Sequence, residues 1–241
     1  MSKSAPDRPS RDPEQGKGPP DLHRWKLPRG RHGLPSEIVA QSQRERLLAA
    51  VVRVSAAKGY QATAVADILE VAGVGRESYY KHFKDKEACF LAANDALLED
   101  LVGRAEAVYD EPGPWPERLV RGLLFMLDWL AADSEATQVM MIEMGRIGKA
   151  SADRFGESFE RLVALVERDA EPVSAMLPIP NGANMAVGTV FARVYGEVST
   201  GNSADLAALL PSLAFELLLP FVGEKSALKE QVAAAKILAE R

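Results

Sequence analysis

Between Thr63 and Phe83 the chain reads TAVADILEVAGVGRESYYKHF, a pattern that leaves room for little but two short helices around a glycine turn. Val65, Ile68, Leu69 and Ala72 recur at i, i+3, i+4 and i+7, which puts them on one stripe of an amphipathic helix. Thr63 is placed to cap its start, because its hydroxyl accepts from a backbone N–H that has no partner within the helix. Gly73 ends the helix, since glycine takes the left-handed turn without a steric cost. Val74 returns to the core and Gly75 opens a second helix. On that second helix Tyr79 and Phe83, four apart, point inward. Arg76 with Tyr80 and Glu77 with Lys81 form i, i+4 pairs on the outside. Two short helices joined in this way make a helix-turn-helix, whose second helix enters the DNA major groove. A helical hairpin with a merely solvated polar face satisfies the same spacing.

The outer face is suited to DNA. Arginine grips guanine O6 and N7 with two hydrogen bonds and glutamate accepts from cytosine N4, so Arg76 and Glu77 are the candidate base readers. Tyr80, Lys81 and His82 suit phosphate oxygens, which position a helix without reading sequence. Thr63 and Ser78 complete the candidate contacts of this stretch.

Five spaced motifs, Gly59-Tyr60, Val65-Ala-Asp-Ile68, Ala72-Gly-Val74, Tyr80-Lys-His-Phe83 and Lys86-Glu87, resemble in order the DNA-binding domain of the TetR family of bacterial one-component regulators. The resemblance covers about residues 40 to 100. It implies an all-α homodimer: an N-terminal three-helix helix-turn-helix domain, then a larger helical domain that binds an effector and dimerises. It places Arg76 and Glu77 on base-contacting positions, and Tyr80, Lys81, His82 and Lys86 on phosphate-contacting ones. Three positions depart from the family pattern. Ala64 stands where many members have a second hydroxyl, Gly75 where a capping Ser is usual, and Ser55 where a core Phe is usual.

Charge is divided along the chain in a way that fits this layout. The net charge is −5, yet residues 22–86 hold 12 basic and 6 acidic side chains, against 13 and 24 in residues 87–241. Positive charge is thus concentrated around the helix-turn-helix, where release of counterions from DNA rewards it. Residues 1–21 have the Pro-, Ser-, Gly- and charge-rich composition of a disordered tail. Leu22 to His32 follows as a basic arm, in which Arg29 and Arg31 flank a glycine and are candidate minor-groove or backbone contacts. A solvated linker is the alternative. The expected division is tail and arm over 1–35, DNA-binding domain over 36–84 and helical ligand-binding and dimerisation domain over 85–241.

Within the first domain Ser36 is the expected cap of a helix over about 37–58, interrupted near Gln41. Lys84-Asp85 turns into a helix of about 18 residues ending near Gly103. Beyond it the sequence reads as helix after helix, with no alternating strand pattern. Trp115-Pro116-Glu117 begins one that runs to about Ala132. Ser134 caps another to about Ile147, and Ser151 a third to about Glu171. After an irregular connection over 172–180, Asn181 and Ser203 start two apolar helices, and a last helix runs from Ser226. Pro211 should kink or split the helix that carries it. Residues 207–219 are apolar nearly all round and so need cover on more than one side, which a symmetric partner supplies. Phe125, Trp129, Met140, Met144 and Phe159 are the candidate effector contacts, because methionine and aromatic side chains adapt to irregular apolar ligands. An ordinary buried core accounts for the same composition.

Catalysis is not expected. The three histidines, at 23, 32 and 82, lie in the arm or the DNA domain, and Cys89 is the single cysteine. No glycine-rich phosphate loop, metal-ligand spacing or nucleophile elbow occurs, so neither cofactor nor metal is expected. Cys89 reads as a small core residue. No unbroken apolar run reaches 18 residues and no signal-peptide pattern opens the chain, so a soluble cytoplasmic protein without a membrane partner is expected. The functional expectation is a homodimeric repressor, released from a near-palindromic double-stranded operator by a small apolar or amphipathic effector. Its rivals are a helix-turn-helix protein that senses no ligand, and an activator.

Overall fold

The computed structural model describes residues 35–170 and 181–241, and all the regular elements among them are helical. The arm with Arg29 and Arg31 and the connection over 172–180 lie outside the described residues. Helix α1 spans Ser36–Lys58 without a break at Gln41, α2 Val65–Ala72, and α3 Arg76–His82. These three enclose a core of Leu47, Val51, Ile68 and Tyr79, shared with Phe90 at the start of α4, Lys86–Tyr109. Tyr60 packs edge-on against Phe90 at 4.8 Å between ring centres. Gly73 closes α2 at φ 61°, a left-handed conformation that costs a residue with a Cβ about 1–2 kcal/mol.

The caps differ from those read in the sequence, for a common reason. A hydroxyl caps only from the residue just outside a helix, and each expected serine or threonine lies elsewhere. Pro35 precedes α1, so Ser36 is its first helical residue. Ala64 precedes α2, and its N–H donates to the Asp67 carboxylate at 2.7 Å, while Thr63 sits one residue too early. Asp133 takes the place expected for Ser134, accepting from the Ala136 N–H at 2.9 Å. The Ser151 hydroxyl donates to the Gly148 carbonyl from inside its helix.

The larger domain is built on α4 and α5, Trp115–Ala132. Helix α4 runs past Gly103 to Tyr109, because Ala105 and Tyr109 are buried and continue its apolar face. At 1.5 Å per residue its 24 residues span about 36 Å. The segment expected as one helix from Ser134 is irregular: α6, Ser134–Gln138, passes into a π-helical turn, Val139–Glu143, and a 3₁₀ turn, Met144–Arg146. Helix α7 covers Lys149–Glu167 and α8 Gly182–Ser199, the latter starting at Asn181 as expected. A 3₁₀ segment, Ser203–Leu209, leads into α9, Leu210–Ala239. Pro211 divides the two, sitting in the first turn of α9 where no N–H is missed. Gly223, at φ 72°, breaks α9 into two helical parts.

By length and composition the Ser203–Ala239 stretch is apolar enough to cross a membrane, with a mean hydropathy of 1.9 over a window that is only 33% buried. An average over a window tolerates Ser212 and Glu216, which break the unbroken runs counted in the sequence. Met185 and Tyr195 on α8, with Leu219, Leu228 and Val232 on α9, leave their apolar side chains exposed.

Candidate DNA-reading helix and candidate ligand cavity

Helix α3 has one fixed face and one open face. Tyr79 is fully buried, its hydroxyl donating to the Asp85 carbonyl at 2.9 Å, and Phe83 is buried beside it. Arg76, Glu77, Tyr80 and Lys81 are exposed and Ser78 is half-buried. Lys81 and Glu77 pair at 2.8 Å, and that ammonium holds the Glu77 carboxyl below the usual carboxylate range. Arg76 makes no ion pair among the described residues. His82 is half-buried, and burial together with the nearby Arg44 guanidinium lowers its pKa, which favours the neutral imidazole.

Two other candidates are turned toward the domain itself. Thr63 is buried; its hydroxyl donates to the Gly59 carbonyl at 2.9 Å and meets the Ser55 hydroxyl at 3.3 Å. Ser55, where a phenylalanine is usual in the family pattern, therefore has a buried polar partner. The Lys86 ammonium donates to the Tyr60 carbonyl at 2.8 Å and lies 4.2 Å from the centre of the Tyr60 ring. Burial and the charge of Lys58 lower its pKa. Cys89 is buried and its thiol is pushed up to about 12 by that burial, so it carries little thiolate.

The turn between α1 and α2 is also held from outside the DNA-binding domain. The Tyr60 N–H donates to Glu143 Oε2 at 2.7 Å, Arg146 donates to Glu143 Oε1 at 2.8 Å, and Gln61 Nε2 donates to the Arg146 carbonyl at 3.1 Å. Glu143 is 2% exposed, so its carboxylate depends on these donors. Sequence reasoning passed over Glu143 and Arg146. Their partners in the α1–α2 turn, Tyr60 and Gln61, lie more than eighty residues away along the chain, and no local pattern marks such a contact.

Glu143 belongs to the π-helical turn, and that segment's other side lines an apolar cavity of about 100 Å³. Met140, Met144 and Phe159 line it, together with Met126, Met141, Phe155 and Phe191. Phe125 and Trp129 do not. On α5 the cavity is faced by Leu123, Met126, Leu127 and Leu130, at i, i+3, i+4 and i+7, which turns residues 125 and 129 onto the neighbouring face. There Phe125 lies under the Arg104 guanidinium, and the Trp129 indole donates to Asp100 at 2.9 Å. Two polar residues, Asn94 and Ser158, interrupt the apolar lining. A polar cleft shares Leu98, Val102 and Ser158 with the cavity. Its arginines are paired, Arg154 with Asp95 at 2.8 Å and Arg161 with Glu99 and Glu106, each at 2.7 Å. Among the described residues no group of three His, Cys, Asp or Glu is placed to hold a metal ion.

Comparison with known proteins agrees with this geometry. Residues 47–93 match the family model for bacterial regulatory proteins, tetR family. A segment of 102 residues is 32% identical to the HTH-type transcriptional repressor KstR2 of Mycolicibacterium smegmatis, covering 42% of this chain and 49% of that protein. The chain thus spans about half the length of this curated relative. In fold it is similar to the fatty acid degradation regulator FadR of Bacillus halodurans, with a TM-score of 0.66, 22% identity, and coverage of 73% of this chain and 94% of that one. It is also similar to FadR of Bacillus subtilis in complex with stearoyl-CoA, with a TM-score of 0.63, 21% identity, and coverage of 74% and 97%.

Proposed function

The chain belongs to the TetR family of bacterial transcriptional regulators, and from that premise we propose that it is a homodimeric repressor released from its operator by a small apolar or amphipathic effector. One observation carries this reading over a helix-turn-helix protein that senses nothing. The irregular segment 139–146 lines the apolar cavity through Met140, Met141 and Met144, and holds the Tyr60 amide through Glu143. A molecule that displaces those methionines also displaces the group holding the α1–α2 turn. The effector then lowers DNA affinity by its preference for the displaced state and by no more.

On the DNA side, Arg76 and Glu77 read bases, and Tyr80, Lys81 and His82 hold phosphates. Thr63 and Lys86 contribute through the shape of the α1–α2 turn. A symmetric dimer sets two such helices one helical turn apart, about 34 Å, so the operator is a near-palindrome. Arg29 and Arg31 extend the contact into the flanking groove. The second copy covers the exposed apolar residues of α8 and α9, which removes a surface that would otherwise stay wet. Dimerisation in water, with the DNA in reach, makes this a cytoplasmic protein.

The bound stearoyl-CoA of the Bacillus subtilis neighbour supports an effector with an apolar portion. Size limits the analogy. At about 100 Å³ the cavity is smaller than the roughly 150 Å³ space that takes one benzene. A long chain therefore requires the four methionines to move.

The test is binding of the purified protein to the DNA upstream of its own gene, titrated with salt. Two protomers bound tightly to a near-palindrome, with a steep salt dependence, are expected. Weak binding that is equal for all sequences would overturn the proposal.

A further inference from the structure

Asn94, on α4, is 1% exposed and lines the apolar cavity, and neither its amide nitrogen nor its amide oxygen has a hydrogen-bond partner among the described residues. A buried amide left in this condition is uncommon, because it forfeits its bonds to water with nothing in return. An apolar side chain of similar shape, such as leucine, would fill the position without that penalty. The rest of the lining contains no Lys, Arg, His, Asp or Glu, and its other polar group is the Ser158 hydroxyl. Nothing there offsets the charge of a buried ion.

We propose that Asn94 selects the effector, recognising one uncharged group that both donates and accepts a hydrogen bond, such as an amide or an alcohol, on an otherwise apolar molecule. The assignment rests on the cavity being the effector site. A ligand of this kind completes both halves of the amide at once, and its hydrocarbon portion lies among Met126, Met140, Met141 and Met144. An ionised head group, by contrast, stays outside, toward the polar cleft with Arg154 and Arg161. Selectivity comes from the penalty for leaving buried polar atoms unpaired, which separates ligands that differ in a single polar group more sharply than a hydrocarbon contact does.

The experiment uses two probes of nearly the same shape that are both smaller than benzene, acetamide and isobutene. Each is titrated into the full-length protein, into Asn94→Leu and into Asn94→Ala, and binding is followed through the methyl signals of Met140 and Met144. Hydrophobicity alone favours isobutene in every protein, so the quantity read is the ratio of the two dissociation constants. That ratio is expected to move toward isobutene by about tenfold or more in both variants. The alanine variant keeps the space open should leucine fill it, and the melting temperature of each variant checks its fold. If both probes bind all three proteins with an unchanged ratio, Asn94 selects nothing and the proposal falls while the cavity remains a ligand site. If neither probe perturbs the methionine signals in any of the three, the effector-site reading falls and this proposal with it.

Discussion

Arg76 and Lys81 sit five residues apart on α3 and are expected to fail differently. If Arg76 reads a base as proposed, Arg76→Ala removes its bidentate contact and should cost about 1–3 kcal/mol of discrimination at one position per half-site. If Lys81 holds a phosphate as proposed, Lys81→Ala should weaken all sequences alike and reduce the salt slope by about one. Competition binding against singly substituted operators separates the two. His82 makes a third case. Its folded pKa lies below the ordinary value of about 6.5, so the free protein keeps it neutral at pH 7. A phosphate placed against the ring favours the imidazolium, so DNA binding should take up a proton and tighten as pH falls from 8 toward 6. Loss of that trend in His82→Gln checks the contact. At this scale the sequence was informative where a side chain answers to helical periodicity, as Tyr79 and Phe83 do. It misled where a residue type suggested a role that register denied. Thr63 lies one residue from the cap position and is buried, and Phe125 and Trp129 share an α5 face that turns away from the cavity.

Among the elements, α2, α3 and α5 could be read closely from spacing and terminators, because the relevant signals lie within a few residues of each other. The segment 134–146 could not. Its π-helical and 3₁₀ turns satisfy tertiary demands, with methionines toward the cavity and Glu143 toward Tyr60, and no local propensity announces them. Helix α4 overran its expected end for a similar reason, since burial of Ala105 and Tyr109 outweighs the helix-weakening glycine at 103. The junction gives a prediction at this scale. Glu143→Ala leaves the Tyr60 N–H and one Arg146 donor without their partner, which should cost about 1–3 kcal/mol. Calorimetry should show the DNA-binding domain melting less cooperatively with the rest. Operator affinity should respond less to effector than in the parent protein. An unchanged melting profile and an unchanged response would remove Glu143 from the coupling.

For the whole molecule, the charge division along the sequence separates a basic stretch, residues 22–86, from an acidic remainder, and in the fold α1 of the basic stretch packs against α4, α6 and the π-helical turn of the remainder. What the sequence could not place was the exposed apolar surface, because residues 207–219 are apolar nearly all round and only packing shows which sides of α8 and α9 stay uncovered. Val232→Glu with Leu228→Glu introduces two charges where both parent side chains are exposed. The protomer's own fold should tolerate them, with surface-sized effects within about 0.5 kcal/mol. Sedimentation should then report a monomer, and operator binding should lose its steepness with protein concentration. A dimer that survives both charges would place the interface elsewhere.

The junction at Glu143 meets the reading domain at a backbone amide, and every residue but proline offers the same amide. Substitutions of the side chain at position 60 leave that handshake in place, so the part that reads DNA can drift toward new operators while the wiring to the sensor stays intact. Sensor and reader are to that degree interchangeable components. On the proposed function, a graft of residues 36–84 from a distant relative should inherit this protein's ligand response, provided the incoming turn presents its amide to Glu143 and a donor to the Arg146 carbonyl as Gln61 does.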